Sequence, residues 1–267
     1  MWYNENGKLV EAISFDPNNR SFKYGDGIFE TIRFFNGKIF NKHNHIRRIE
    51  KSLKIVKINI SISAQALLDV AVDLGVKNNI INGGARISVY RSGEGKYSPD
   101  RLEGCFFIES YHNENAQFEL NKIGLDVDYF TTHLKSMDIL SNVKTTSAIY
   151  YVLASIEKQE KKLDDLLVLN TDNEPIEACS SNLFIVKDDL LITPSLESGC
   201  LDGCMRALVI QNFDVIEKRI TKDDISESTE VFLTNSNSIF WVKSLGSKKF
   251  QSFKIAMQVV GKCNDLV

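Results

Sequence analysis

Apolar and polar positions follow two rhythms along this chain. Residues 28–35 (Ile-Phe-Glu-Thr-Ile-Arg-Phe-Phe), then Asn36-Gly37, then 38–40 (Lys-Ile-Phe) predict two strands joined by a tight hairpin. Asn-Gly supplies the positive φ angles that such a turn needs. The period then changes. Ile46, Ile49, Leu53 and Val56 recur at steps of three and four, one face of a helix. A second helix is predicted after Ser63, a good N-cap, with Ala64, Leu67, Leu68, Ala71 and Leu74 on its buried stripe. Gly83-Gly84 breaks the pattern before a strand at 85–90, and hydrophobicity collapses over 111–117, the expected interdomain linker.

Farther on, Ile149, Val152, Leu153 and Ile156 predict a helix over about 144–162. Strands are expected at 166–169, 182–186 and 190–192, and Met205, Leu208, Val209 and Phe213 give a helix after Gly203. Late strands fall at 231–233 and 239–242, and no internal repeat is visible. The expected class is α+β in two domains: an N-terminal α/β domain over 1–112, a linker over 113–120 and a C-terminal α/β domain over 121–267.

Composition narrows the function classes. The chain has 267 residues, 43% hydrophobic and 25% charged, with a net charge of -3 and a pI near 5.9. Neither nucleic acid nor an acidic membrane surface is an expected partner. No apolar run approaches the roughly 20 residues that span a bilayer. Met1-Trp2-Tyr3-Asn4-Glu5-Asn6 lacks the basic start and apolar core of a signal peptide. Five cysteines, an odd number scattered over a large chain, read as reduced thiols in a cytoplasm. Cys200 and Cys204 have no further ligands close in sequence, so no metal is expected.

Four places offer chemistry. Lys144 precedes the predicted 144–162 helix, where the helix dipole and a dry setting favour the neutral amine that imine formation needs; Lys135 competes on the same grounds. Glu177 stands before the small polar run Ala178-Cys179-Ser180-Ser181-Asn182 and is either a surface turn acid or the partner of a pyridine nitrogen. Gly203-Cys204-Met205 opens a helix, where unpaired backbone N–H groups and a small residue make an anion cradle. Arg48, one of two adjacent arginines, offers a fork suited to phosphate. The loop at 91–97 glances at a nucleotide-phosphate loop, but its first glycine is missing.

These stretches occur together in one order. Tyr24-Gly25-Asp26-Gly27-Ile28-Phe29-Glu30-Thr31-Ile32-Arg33, His45-Ile46-Arg47-Arg48-Ile49, Lys144, Glu177 to Phe184, Cys200-Leu201-Asp202-Gly203-Cys204-Met205-Arg206 and Phe232-Leu233-Thr234-Asn235-Ser236 resemble the class IV, or fold-type IV, pyridoxal-phosphate enzymes over about residues 20 to 245. That family comprises branched-chain and D-amino-acid aminotransferases and 4-amino-4-deoxychorismate lyase. The resemblance implies a two-domain fold with the active site between the domains and a pseudo-barrel at the C-terminal end. It implies pyridoxal phosphate as cofactor, a small amino substrate and a homodimer. It makes Lys144 rather than Lys135 the cofactor-holding lysine and proton shuttle, and pairs Glu177 with the ring nitrogen. Arg48 and Ser236, with the backbone of Cys204 and Met205 after Gly203, would hold the phosphate, and Leu201 would pack on the ring. Phe29, Arg91 and Tyr97 would edge the substrate pocket.

Departures choose the subfamily. Aminotransferases of this family usually carry threonine where this chain has Met205, and the branched-chain enzymes have tyrosine where it has Ile149. Gly-x-Met-Arg, Thr-Asn-Ser and the loop after Arg91 look more like the aminodeoxychorismate lyases, whereas Phe29-Glu30 is shared with the aminotransferases. The expectation is the lyase, with an amino-acid aminotransferase using 2-oxoglutarate as the alternative. A non-catalytic ligand-binding scaffold is a minor third.

Overall fold

The hairpin at Asn36-Gly37 forms with both turn residues at positive φ, 50° and 73°. It joins β3 (Gly27–Phe35) to β4 (Lys38–Ile39), which follow β1 (Tyr3–Glu5), β2 (Lys8–Val10) and the short helix α1 (Arg20–Tyr24). Next come α2 (Lys42–Val56), α3 (Ala64–Lys77), β5 (Gly83–Arg91) and β6 (Gly104–His112). The strands make one antiparallel sheet in the order β2-β1-β6-β5-β3-β4. The computed structural model describes every residue except Phe15 and resolves two units: Met1–Gln117 with Val143–Ala148, and Phe118–Asn142 with Ile149–Val267.

In the first unit α3 follows its sequence pattern. Ser63 caps it, its Oγ accepting from the Ala66 N–H at 3.1 Å, and Leu67, Leu68 and Leu74 are fully buried. Each such leucine contributes about 1.5–3 kcal/mol relative to an exposed one. On α2 the buried stripe is rotated from the apolar one. Asn44, His45, Arg48 and Ser52 are buried with Ile49 and Leu53, whereas Ile46 and Val56 are only partly covered. The cause is Glu30, which projects from β3 and draws His45 and Arg48 inward.

The second unit holds β7 (Leu125–Lys135), α4 (Ile149–Glu160), β8 (Asp165–Asn170), β9 (Pro175–Ala178), β10 (Asn182–Lys187) and β11 (Leu190–Pro194). A 3-10 turn at Leu196–Ser198 leads to α5 (Cys204–Asn212), β12 (Val215–Lys218) and α6 (Lys222–Glu227). β13 (Glu230–Thr234), β14 (Ile239–Leu245), β15 (Lys248–Lys249) and α7 (Lys254–Asp265) finish the chain. Its sheet runs β12-β11-β10-β13-β14-β7-β8-β9, and β9 returns to pair with β10 at Asn182↔Glu177. Six strands thus close into a ring. β8 is buried at every position, and its parallel pairing with β7 explains a near-continuous Leu-Leu-Val-Leu run without alternation.

One expected element moves. The helix begins at Ile149, not Lys144, because Val143–Ala148 is an extended strap on the edge of β3. The Phe29 N–H donates to Lys144 O at 2.9 Å, the Thr146 N–H donates to Gly27 O at 2.9 Å, and Ile28 bridges Thr145. Lys144 therefore does not stand at a helix N-terminus.

Candidate active site

Glu177 lies on β9 where the ring closes on β10, and its carboxylate is buried. Oε1 accepts from Lys135 Nζ at 2.6 Å and from the Tyr151 hydroxyl at 2.8 Å; Oε2 accepts from the Leu201 N–H at 2.8 Å. Lys135, at the end of β7, also donates to Ser141 O at 2.9 Å. Burial, then the neighbouring Glu177 carboxylate, pushes the Tyr151 phenol well above its ordinary range, so Tyr151 stays a hydrogen donor at neutral pH. Glu177 is no surface turn acid.

Leu201 belongs to a turn that Asn142 ties down, its amide donating to Leu196 O at 2.9 Å and Cys200 O at 2.6 Å. Two residues on, Gly203 caps α5. A Cβ there would lie 1.9 Å from Asn182 Oδ1, so only glycine fits. The Asn182 amide is itself fixed, donating to Thr234 O at 2.7 Å and Thr234 Oγ1 at 3.1 Å. The first N–H groups of a helix have no acceptor within it and attract anions. The Met205 side chain is 1% exposed and supplies no hydroxyl. Arg206 donates to Pro194 O at 2.7 Å, which ties α5 to β11. Ser236 lies in the turn 235–238, where Asn235 donates to Ser181 Oγ at 3.1 Å. Burial pushes the Cys200 thiol up to about 12, so it stays an unreactive SH.

The first unit brings together another set. Arg48 and Glu30 are both buried; Arg48 Nε donates to Glu30 Oε2 at 3.0 Å, its Nη2 bonds Oε1, and His45 Nδ1 lies 2.7 Å from Oε1. Burial alone would raise the Glu30 carboxyl, but Arg48 and His45 outweigh it and bring it down to about 2. On the strap, Lys144 Nζ sits 4.3 Å from the centre of the Phe29 ring, and the Arg86 guanidinium carbon lies 3.7 Å from the same ring centre.

Arg86 escaped the sequence reading. The alternation on β5 was its signal, since Arg86, Ser88 and Tyr90 fall on one face of the strand. With Asn19, Ser21, Thr146 and Phe107 they line an open cavity of about 340 Å³. Burial lowers the Arg86 guanidinium from its ordinary value. Arg91 is held by a dense set of hydrogen bonds. Its Nε donates to both Asp26 oxygens, and its two Nη groups donate to Lys57 O at 2.6 Å and Val56 O at 2.7 Å. It holds β5 against the end of α2. Tyr97 is 90% exposed and its ring packs on that of Tyr24.

This donor set suits a phosphorylated pyridine. A buried carboxylate with a lone pair to spare fits a ring N–H, and a glycine-capped helix start fits a dianion. The fold is that of the fold-type IV enzymes. A branched-chain aminotransferase from the thermophilic archaeon Thermoproteus uzoniensis, solved with norvaline, superposes with a TM-score of 0.87 at 24% identity, covering 98% of this chain and 93% of that one. A family profile described as amino-transferase class IV matches residues 27–245. The chain belongs to the class IV aminotransferase family and is a pyridoxal-phosphate-dependent enzyme. Among its relatives, an aminodeoxychorismate lyase of Vibrio harveyi is 30% identical over 225 residues, 82% of each chain. A D-alanine aminotransferase of Bacillus licheniformis is 26% identical over 248 residues, 87% of this chain and 84% of the other.

Proposed function

We propose that this enzyme is a 4-amino-4-deoxychorismate lyase, releasing pyruvate and leaving 4-aminobenzoate. The observation that carries the reading is the buried Met205 in the first turn of α5, where the family's aminotransferases usually present a threonine hydroxyl. The similarity to the Vibrio harveyi lyase supports it.

Pyridoxal phosphate supplies an aldehyde for the substrate amine and a ring that accepts electron density from the carbon beside it. Lys144 is the amine that holds the cofactor and then moves the proton at the carbon bearing the substrate's amine. Glu177 would accept from the ring nitrogen, and Leu201 would pack on the ring. Arg48, Ser236 and the backbone N–H groups of Cys204 and Met205 hold the phosphate, with Gly203 giving room. Phe29 sits on the substrate side with Lys144. In the lyase reaction Lys144 would pass the proton taken from the amine-bearing carbon to the methylene carbon of the enolpyruvyl group as the ring carbon–oxygen bond breaks, which releases pyruvate, and formation of the aromatic ring drives the step.

Phe29-Glu30 and the D-alanine aminotransferase relative support the second reading, transfer of an amino group to 2-oxoglutarate. One preparation decides. Pyruvate from aminodeoxychorismate should exceed any transfer from a panel of L- and D-amino acids. Robust transfer to 2-oxoglutarate with no pyruvate release overturns the lyase.

A homodimer in the cytoplasm completes the proposal. Ile149, Val152, Leu153 and Ile156 form an outward apolar stripe on α4, with Ile149 65% exposed, and such a patch favours a protein partner. Among the described residues no helix is long and apolar enough to cross a membrane.

A further inference from the structure

We infer that Lys135 and Tyr151 are positioning residues that saturate one oxygen of Glu177 and thereby assign the other, Oε2, to the cofactor's ring nitrogen. This rests on the reading above that Glu177 faces that nitrogen. An ionised carboxylate offers about four lone-pair sites, two on each oxygen. On Oε1 both are taken, by Lys135 Nζ at 2.6 Å and the Tyr151 hydroxyl at 2.8 Å. Oε2 accepts the Leu201 N–H at 2.8 Å and keeps one site for a further donor.

The three donors come from separate places: the end of β7, the first turn of α4, and the turn before α5. Together they fix the plane of the carboxylate against rotation about its last bond. Lys135 also supplies charge. A buried carboxylate needs a counter-ion, and the Lys135 side chain is only 11% exposed beside it. Its remaining anchors are Ser141 O at 2.9 Å and the face of the Tyr151 ring, 5.4 Å from Nζ. Lys135 is therefore a counter-ion rather than a second cofactor amine. A methionine there would leave the packing volume and remove the charge.

The test uses the holoenzyme loaded with pyridoxal phosphate labelled with nitrogen-15 in the ring, whose chemical shift reports protonation of that nitrogen. In the wild type the shift should be that of a protonated ring. Glu177→Gln should move it to the unprotonated value, and Lys135→Met should move it the same way by a smaller amount. For Lys135→Met, kcat should fall roughly tenfold, the scale of one charge-assisted hydrogen bond, with little change in KM. Lys135→Arg should restore both, because guanidinium also brings charge and two donors. Tyr151→Phe removes one bond to Oε1 without removing charge, should give a smaller displacement, and serves if Lys135→Met does not fold. A wild-type shift in Lys135→Met or, in that case, in Tyr151→Phe, beside a moved shift in Glu177→Gln, overturns the inference and leaves the reading of Glu177 standing. A wild-type shift in Glu177→Gln overturns the reading itself. Borohydride reduction that fixes the cofactor to Lys135 overturns both.

Discussion

Glu30 in the first unit and Glu177 in the second are buried to the same degree, and each meets a cation. Their surroundings differ in kind. Glu30 sits on a long strand and is met by two residues of a single helix, His45 and Arg48, one turn apart. Glu177 sits where a sheet closes on itself and is met by a strand end, a helix tyrosine and a backbone N–H from a turn. The first arrangement neutralises a charge inside a core. The second holds a carboxylate in a fixed orientation with one site left to give. A buried acid thus has a structural task or a chemical one according to what its partners leave over.

The largest effect is expected from Lys144→Ala, which on the proposed function removes both the cofactor-holding amine and the proton shuttle. Turnover should fall about 10²- to 10⁴-fold or more, and borohydride reduction followed by peptide mapping should no longer find label at 144. Label on Lys135 in the wild type sinks the assignment of roles. Next comes Glu177→Gln, which should keep the cofactor, because the phosphate cradle is untouched, yet lose most turnover. Wild-type steady-state rates in that variant mean that Glu177 only closes the sheet.

Glu30→Ala should act on the fold instead. Removing one partner of a buried ion pair leaves the other uncompensated and costs about 3–5 kcal/mol, readable as a lower denaturant midpoint. Acid gives the same information without mutation. The Glu30 carboxyl is depressed in the folded state from 4.5 to about 2. Its contribution, about 3 kcal/mol for a shift of that size, is present above the unfolded value. It is lost as pH falls from about 4.5 through about 2. Unfolding of wild type and Glu30→Ala compared across that window should converge at the acid end; a constant gap sinks the ion-pair account.

Arg48→Ala removes the partner of Glu30 and, on the proposed function, a phosphate contact as well. Cofactor affinity should fall roughly ten- to a hundred-fold, the loss of about 1.5–3 kcal/mol for one charge-assisted contact. Arg47→Ala, measured by the same titration, should change little. The smallest effect belongs to Tyr97→Ala. That ring is on the surface against Tyr24, so KM and kcat should stay within about twofold, as for most surface substitutions.

Local pattern was enough for the hairpin at Asn36-Gly37, the Ser63-capped helix with its leucine stripe, and the glycine that opens α5. Each depends on the φ, capping or spacing preferences of neighbouring residues, which a sequence displays directly. The order of the motifs also carried the family and its cofactor. What the sequence concealed was long-range. Lys144 reads as the start of a helix because the residues after it are helical, but an edge of β3, more than a hundred residues earlier, claims the strap by hydrogen bonding. The inward place of Arg48 on α2 depends on Glu30, which draws it and His45 into the core. Arg91 clamps two backbone carbonyls and Asp26, contacts that no local pattern announces. Lys135 and Tyr151 lie 42 and 26 residues from Glu177, and no periodicity joins them. A chain records what each residue prefers of its neighbours. Which distant carboxylate a cation will satisfy is decided only when tertiary packing removes water and makes an unpaired charge too costly to leave.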